Sequence, residues 1–71
     1  MKKVKIDGPY ITLGQLLKKI DLIDSGGQAR IFLDMTEVKV NGEHELRRGR
    51  KIYPQDIVDI AGHGKMHIIQ V

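Results

Sequence analysis

The middle of the chain carries a hairpin signal that restricts the folds open to it. Val38-Lys39-Val40 alternates apolar and polar side chains, as strands do, and Asn41-Gly42 follows directly. Asn-Gly favours a type I′ turn, whose two central residues both take positive φ, and this turn joins antiparallel strands. The sequence therefore predicts a hairpin here, while the polar residues after Gly42 leave the length of its second strand open.

Two amphipathic helices are predicted before the hairpin. Thr12-Leu13-Gly14-Gln15 has the spacing of a capping box, so the first helix is expected to open at Thr12. Its apolar residues recur on one face: Leu13, Leu16, Leu17 and Ile20. Ser25-Gly26-Gly27-Gln28 repeats the capping spacing, and a second helix is expected from Ser25 to about Asp34. Its inward stripe would consist of Ala29, Phe32 and Leu33.

Short strands are expected toward both ends of the chain. Lys3 to Ile6 alternates polar and apolar residues and suits an edge strand, whose lysines discourage pairing with other chains. Residues 57–60 and 66–71 suit two strands on either side of a turn at Gly62-His63-Gly64. The predicted order is β-α-α-β-(β)-β-β, an α+β fold in which the bracketed strand is the second strand of the hairpin.

The length and composition bound the class of protein. A chain of 71 residues is predicted to form one domain over its whole length. It contains no cysteine, which excludes disulfides, thiolate metal sites and cysteine nucleophiles. No apolar run approaches the roughly 20 residues of a membrane span, and no signal-peptide pattern follows the first lysines. We therefore expect a soluble cytoplasmic protein without membrane contact.

The sharpest candidate for a binding site is the basic run Arg47-Arg48-Gly49-Arg50-Lys51. The net charge of the chain is only +3, so this local excess matters more than the total. Arginine offers a planar fork to phosphate, and Gly49 lets the backbone bend among the cations, which suits binding to a nucleic acid backbone. Two alternatives stay open: a solvated charged loop, and a protein-interaction adaptor whose basic loop docks an acidic partner.

The opening of the second helix is another candidate. Gly26 and Gly27 are poor helix formers, and their lack of side chains leaves backbone N–H groups accessible to an anion. Gly26-Gly27-Gln28 also matches the tripeptide that peptide-chain release factors present to the ribosome. Gln28, however, occupies a capping position of the predicted helix, and the chain has no other feature of such a factor.

No catalytic or metal site is expected. His63 and His67 are four residues apart, but a glycine turn separates them and no third ligand is apparent. Ser25 lacks the sequence context of a nucleophile, and no carboxylate pair adjoins an apparent apolar pocket. Tyr10 and Tyr53 are the two aromatic candidates for base stacking, which favours recognition of shape and phosphate over a single-strand platform. We therefore predict a non-enzymatic protein without cofactor, metal or small-molecule substrate.

Taken in order, five segments of the chain resemble the RNA-binding domain first described in small-subunit ribosomal protein S-four, the alpha-L fold. The resemblance is closest to the small stand-alone bacterial members of that family, and it covers most of the chain from Thr12 to Ile60. No single segment is specific for this family, whereas the five segments in this order are. The matching segments are Thr12-Leu13-Gly14-Gln15-Leu16-Leu17-Lys18, Ser25-Gly26-Gly27-Gln28-Ala29-Arg30, Val38-Lys39-Val40-Asn41-Gly42, Arg47-Arg48-Gly49-Arg50-Lys51 and Asp56-Ile57-Val58.

The resemblance implies two packed helices against a small, largely antiparallel β-sheet. It also implies that the protein binds structured RNA, either rRNA or tRNA. The RNA would be free or part of a ribosomal particle, and the protein would act in ribosome assembly or translation. RNA-facing residues are then expected at the opening of the second helix, in the hairpin and in the basic run. They are Ser25, Gly27, Gln28, Arg30, Lys39, Asn41, Arg47, Arg48, Arg50 and Lys51.

Overall fold

A computed structural model describes residues 1–71 as two helices and seven strands. The helices are α1, Leu13–Lys19, and α2, Gly26–Met35. The strands are β1, Lys2–Ile6, β2, Ile11–Thr12, β3, Val38–Val40, β4, Glu43–His44, β5, Lys51–Ile52, β6, Ile57–Ile60, and β7, Gly64–Gln70. The predicted element order is confirmed, with β2 and β5 as two short strands that the sequence did not reveal.

Most strands join one five-stranded sheet in the order β1-β7-β6-β3-β4. β1 pairs parallel with β7, and the other neighbours pair antiparallel, so the α+β fold with a largely antiparallel sheet is confirmed. β1 lies at one edge of this sheet, as predicted. β2 and β5 form a separate antiparallel ladder in which Ile11 pairs with Ile52 and Thr12 with Lys51.

Helix α1 begins as the sequence predicts. The N–H of Gln15 donates to Thr12 Oγ1 at 3.2 Å, and the N–H of Thr12 donates to Gln15 Oε1 at 3.0 Å. This reciprocal pair is the predicted capping box. The buried face of α1 carries Leu13, Leu16 and Leu17, with Ile20 partly buried just beyond the helix.

Helix α2 begins at the predicted place but without the predicted capping box. Ser25 is the N-cap residue, yet its side chain makes no capping hydrogen bond. Gln28 Oε1 instead accepts from the N–H of Asp24 at 2.6 Å, one residue before the cap. The glutamine side chain therefore reaches past Ser25, and the reciprocal arrangement of α1 is not repeated.

The hairpin is confirmed in detail. Asn41 and Gly42 have φ of 52° and 85°, as a type I′ turn requires, and Val40 pairs directly with Glu43. β4 is only two residues long. The hydrogen bonding of the hairpin continues one pair further, since the N–H of Glu45 donates to the carbonyl of Val38 at 2.9 Å.

Both helices pack on one face of the sheet, where 15 apolar side chains form the core. The strands contribute alternate residues such as Val38 and Val40, while Lys39 between them points to the opposite face. From α2 come Ala29 and Leu33, with Phe32 partly buried beside them. Neither helix has the length and apolar character needed to cross a membrane.

Candidate nucleic-acid interface

The basic loop, residues 47–51, is held against the start of α1 by backbone hydrogen bonds. The N–H groups of Leu13 and Gly14 donate to the carbonyls of Arg50 and Arg48, each at 2.8 Å. The first N–H groups of a helix have no partner within the helix, and here the basic loop satisfies two of them. The loop is therefore an ordered part of the fold, and the N-terminus of α1 is closed to an outside anion.

Glu45 organises the side chains of the basic loop. It is the one charged residue that is buried, at 6% exposure. Its carboxylate accepts from Arg47 Nε and Nη2, each at 3.0 Å, and from Arg50 Nη1 at 2.8 Å. It also accepts from the backbone N–H groups of Leu46 at 3.1 Å and Arg47 at 2.9 Å. Five donors thus converge on one carboxylate.

The electrostatics of this cluster follow from its geometry. The pKa of Glu45 is lowered from 4.5 to about 2, chiefly by the side-chain hydrogen bonds from Arg47. Burial raises this pKa, while the N–H of Arg47 and the side chain of Arg50 lower it further. Arg47 stays 73% exposed in its side chain, whereas that of Arg50 is 29% exposed. The loop therefore presents one net positive charge fewer than its own sequence suggests.

Arg48 connects the basic loop to the start of α2. Its Nη1 donates to the carbonyl of Gly26 at 3.2 Å. A polar cleft on one side of Arg48 is lined by Gly27, Arg30, Asp34, Leu46 and Arg48 itself. Its other side faces a second cleft, lined by Thr12, Gly14, Gln15, Lys18, Gly26, Arg48 and Gly49. The guanidinium thus lies where the first turns of both helices meet.

The start of α2 is open in the way that the sequence predicts. Ser25, Gly26, Gly27 and Gln28 are all exposed, and no side chain caps the N–H groups of the two glycines. Arg30 shares the first polar cleft with Gly27 and forms no ion pair with Asp34. Gly27, whose N–H has no side-chain cap, and Arg30, which forms no ion pair, therefore line the same cleft.

The structure places the two predicted hairpin residues away from this cleft. Lys39 lies on the outer face of the sheet between His44 and Asp59, with its Nζ 3.9 Å from Glu37 Oε1. The RNA contacts of Lys39 and Asn41 stay predictions. Lys39 lines none of the clefts that the basic loop lines.

Asn41 has both ends of its side-chain amide engaged within the protein. Nδ2 donates to Asp56 Oδ1 at 3.0 Å, and Oδ1 accepts from the N–H of Ile57 at 2.9 Å. The amide fastens the tip of the hairpin to the beginning of β6. This role follows from the turn and was not predicted from the sequence.

Two tyrosines adjoin the basic loop, an arrangement that sequence reasoning missed. The pairing of Ile11 with Ile52 sets Tyr10 opposite Tyr53, and their ring centroids are 5.8 Å apart. Lys51 Nζ lies 4.9 Å from the centroid of the Tyr10 ring. Only the pairing of β2 with β5 brings these residues together, and two-residue strands leave no periodic pattern to detect.

Comparison with known proteins assigns the family. The family model described as the S4 domain matches residues 4–69, nearly the whole chain. The chain belongs to the S4 domain family. It is 50% identical over 66 residues to RlbA of Bacillus subtilis (strain 168), named a probable ribosome maturation protein, and the match covers 93% of each chain. It is 40% identical over 55 residues to YbcJ of Escherichia coli (strain K12), provisionally named an RNA-binding protein, covering 78% of this chain and 79% of YbcJ.

In this S4 domain, the predicted site residues fall into three groups. One group surrounds the start of α2 and the basic loop: Ser25, Gly27, Gln28, Arg30, Arg47, Arg48, Arg50 and Lys51. Lys39 and Asn41 form the other two, on the outer sheet face and at the hairpin tip. The imidazole of His63 lies 6.5 Å from the Phe32 ring, and His67 Nε2 lies 3.2 Å from Gln55 Oε1. No group of three His, Asp or Glu side chains is placed to hold a metal ion.

Proposed function

We propose that this protein is a non-enzymatic RNA-binding protein that recognises structured RNA, rRNA or tRNA, through the surface formed by the start of α2 and the basic loop. It would act in the cytoplasm, in ribosome assembly or translation. Membership of the S4 domain family supports this proposal, as do the ribosome-maturation and RNA-binding names of its relatives.

The observation that carries the proposal is the position of Arg48 at the open start of α2. Arg48 and Arg30 line the same cleft as Gly27, together with Asp34 and Leu46. Arginine forks and uncapped helix N–H groups both bind phosphate oxygens, and they act together when they face one space. Arg47, Arg50 and Lys51 extend the cationic surface into a neighbouring cleft.

The rigidity of the basic loop favours a folded RNA over a flexible one. The loop backbone is held by α1, and two of its guanidiniums are held by Glu45. A binder that holds its contacts in fixed positions loses little entropy on association, provided that the phosphates of the partner match those positions. A folded RNA offers phosphates at fixed spacing, so shape and phosphate recognition agree with this geometry.

Crosslinking in cells, followed by sequencing of the bound RNA, tests the proposal. The test variant combines Arg30→Gln, Arg48→Gln and Lys51→Gln. It spares Arg47 and Arg50, because removing them would leave Glu45 buried without its partners and would destabilise the fold. We expect the native protein to enrich a structured rRNA or tRNA and the variant to lose that enrichment.

The outer face of the sheet supplies a matched control. Lys3, Lys5 and Lys65 lie at outward positions of β1 and β7, and changing all three to Gln alters the net charge by the same amount. This control should retain the enriched RNA. Equal loss in both variants would reduce the interaction to non-specific charge attraction. A complex with a protein that survives nuclease treatment, without enriched RNA, would replace the proposal with the adaptor function.

A further inference from the structure

We propose that Tyr10 and Tyr53 form a subsite for one unpaired nucleobase, beside the phosphate contacts of the basic loop. This inference rests on the proposed function and specifies which feature of a folded RNA the protein recognises. It starts from the β2–β5 ladder, which also carries Lys51 of the basic loop. The ladder places the only two tyrosines of the chain side by side at the surface.

The two rings form a paired and accessible aromatic surface. Their centroids are 5.8 Å apart with an interplanar angle of 52°, and Tyr10 is 40% and Tyr53 48% exposed. Neither tyrosine belongs to the apolar core. The backbone beneath Tyr53 is nevertheless fixed, because its N–H donates to Asp56 Oδ2 at 2.8 Å. The backbone that carries the Tyr53 ring is therefore fixed, while the surface of the ring stays available.

The surroundings of Tyr53 suit a nucleotide. Tyr53 shares a cleft of about 390 Å³ with Arg47, Gly49, Arg50 and Lys51. Gly49 has open space where a side chain would be, so nothing from the loop fills this cleft. A base can stack on the tyrosine ring while the guanidiniums reach the phosphates on either side of it. Lys51 lies over the Tyr10 ring, which leaves Tyr53 as the ring for the base.

The size of the aromatic surface sets the class of ligand. Proteins that bind long single strands stack successive bases on a series of rings, whereas this surface has two rings and Lys51 lies over one of them. One unstacked base next to an otherwise folded backbone fits it, which describes a bulge, a loop closure or a helix junction. Stacking tolerates any base, so the subsite reads the presence of an unpaired base and not its identity.

A double-mutant cycle between protein and RNA tests the subsite. Two end-labelled RNA hairpins differ only in one bulged nucleotide, and their affinities for the native protein, Tyr53→Leu and Tyr53→Phe are measured by fluorescence anisotropy. We expect the native protein and Tyr53→Phe to prefer the bulged hairpin by about fivefold or more, as base stacking on an aromatic ring allows. Tyr53→Leu keeps an apolar side chain but removes the ring, and it should bind both hairpins equally.

The ring protons of the tyrosines give a second readout by nuclear magnetic resonance. The chain has two tyrosines and no tryptophan, and Tyr10→Phe assigns the remaining tyrosine signal to Tyr53. The bulged hairpin should shift the Tyr53 signal upfield, and the paired hairpin should not.

The outcomes separate this inference from the proposed function. Equal affinity of the native protein for the two hairpins, or a bulge preference that persists in Tyr53→Leu, overturns the subsite and leaves RNA binding intact. If the native protein binds neither the two hairpins nor any folded rRNA, both the subsite and the proposed RNA-binding function are overturned.

Discussion

Glu45 gives the interface its sharpest dependence on a single residue. Its pKa of about 2 in the folded protein lies below the ordinary value of 4.5, so folding favours its ionised form. The stabilisation from this shift is fully present above about pH 4.5 and is lost as the pH falls toward 2. We expect the loss to be on the order of 1–3 kcal/mol in the free energy of unfolding.

Urea unfolding of the native protein and Glu45→Gln across this pH range measures that contribution. Other carboxylates titrate in the same window, so the informative quantity is the difference in free energy of unfolding between the two proteins. The difference should be constant at neutral pH and shrink below pH 4.5. A difference that does not change with pH would mean that the carboxylate is not held as the structure places it.

Glu45 also makes a prediction about RNA binding that opposes simple charge arithmetic. Glu45→Gln raises the net charge of the site, and non-specific attraction to RNA should then increase. The structure predicts weaker binding to folded rRNA instead, because Arg47 and Arg50 lose the partner that orders them. Filter binding at constant salt measures the effect.

Glu43 is the matched control for this prediction. It lies two residues away, is exposed and makes no hydrogen bond with the basic loop. Glu43→Gln should strengthen binding slightly, through charge alone. If Glu45→Gln strengthens binding by the same amount, Glu45 contributes only its charge and does not position the arginines.

Asn41 allows backbone and side-chain effects to be separated. Asn41→Ala removes two side-chain hydrogen bonds and leaves an alanine at φ 52°, a left-handed conformation that alanine disfavours. The free energy of unfolding should fall by about 1–3 kcal/mol. Asn41→Gly removes the same bonds but accepts that φ, and it should be less destabilising by roughly 1 kcal/mol. Thermal unfolding of both variants checks the order. Equal losses would show that the left-handed backbone conformation costs nothing at this position.

Asn41 and Glu45 show which features of single residues the sequence predicts and which it does not. The Asn41-Gly42 turn was predictable because its φ requirement is local. The burial of Glu45 was not, since its position in a polar segment gives no sign that two arginines of the following loop will fold back over it. Arg47 and Arg50 were accordingly predicted only as RNA-facing residues, and their ion pairs with Glu45 were not foreseen.

At the scale of elements, α1 and α2 show that the same capping pattern can have two outcomes. Both helices open with a hydroxyl residue followed three positions later by glutamine. The box forms at Thr12, whereas at Ser25 the glutamine bonds one residue further back. The start of α1 is closed by its cap and by the basic loop, and the start of α2 stays open.

This difference predicts unequal effects of two similar substitutions. Thr12→Ala should reduce the free energy of unfolding by about 1 kcal/mol, as loss of an N-cap side chain usually does. Ser25→Ala should change stability much less, because its hydroxyl makes no capping bond. Chemical denaturation of the two variants gives the comparison. A larger loss for Ser25→Ala would show that the side chain does cap α2.

The short β2–β5 ladder marks the limit of pattern reading for elements. The segments that form α1, α2, β1, β3, β6 and β7 were predicted because each shows either a periodic pattern or an apolar run next to turn residues. A ladder of two residues per strand has none, and its formation depends on the whole chain bringing Ile11 to Ile52. The tyrosine pair, which depends on that ladder, could therefore not be predicted.

At the scale of the molecule, the cations are divided between two faces of the sheet. The helix side carries Arg30 and the cations of the basic loop, while the outer face carries Lys3, Lys5, Lys39 and Lys65. The sequence revealed the local excess in the basic run but not this division, because it follows from strand register. Lys39 was for that reason grouped with the loop in the prediction.

The division makes the salt dependence of RNA binding a test of which face is used. The basic run with Arg30 supplies five cations, and Glu45 offsets one of them. Neutralising about four phosphates should give a plot of log affinity against log salt with a slope between about −2.8 and −3.6. The variant with Arg30, Arg48 and Lys51 changed to Gln should flatten this slope by about 2.1–2.7, since each of the three lost phosphate contacts removes roughly 0.7–0.9.

The variant with Lys3, Lys5 and Lys65 changed to Gln has the same net charge and should keep the native slope, because its lysines lie across the sheet from the helices. Titrations of folded rRNA at several salt concentrations supply all three slopes. A native slope near zero would remove phosphate binding from the function altogether. Equal flattening in both variants would mean that RNA contacts both faces of the sheet, and the interface would then have to include the outer lysines.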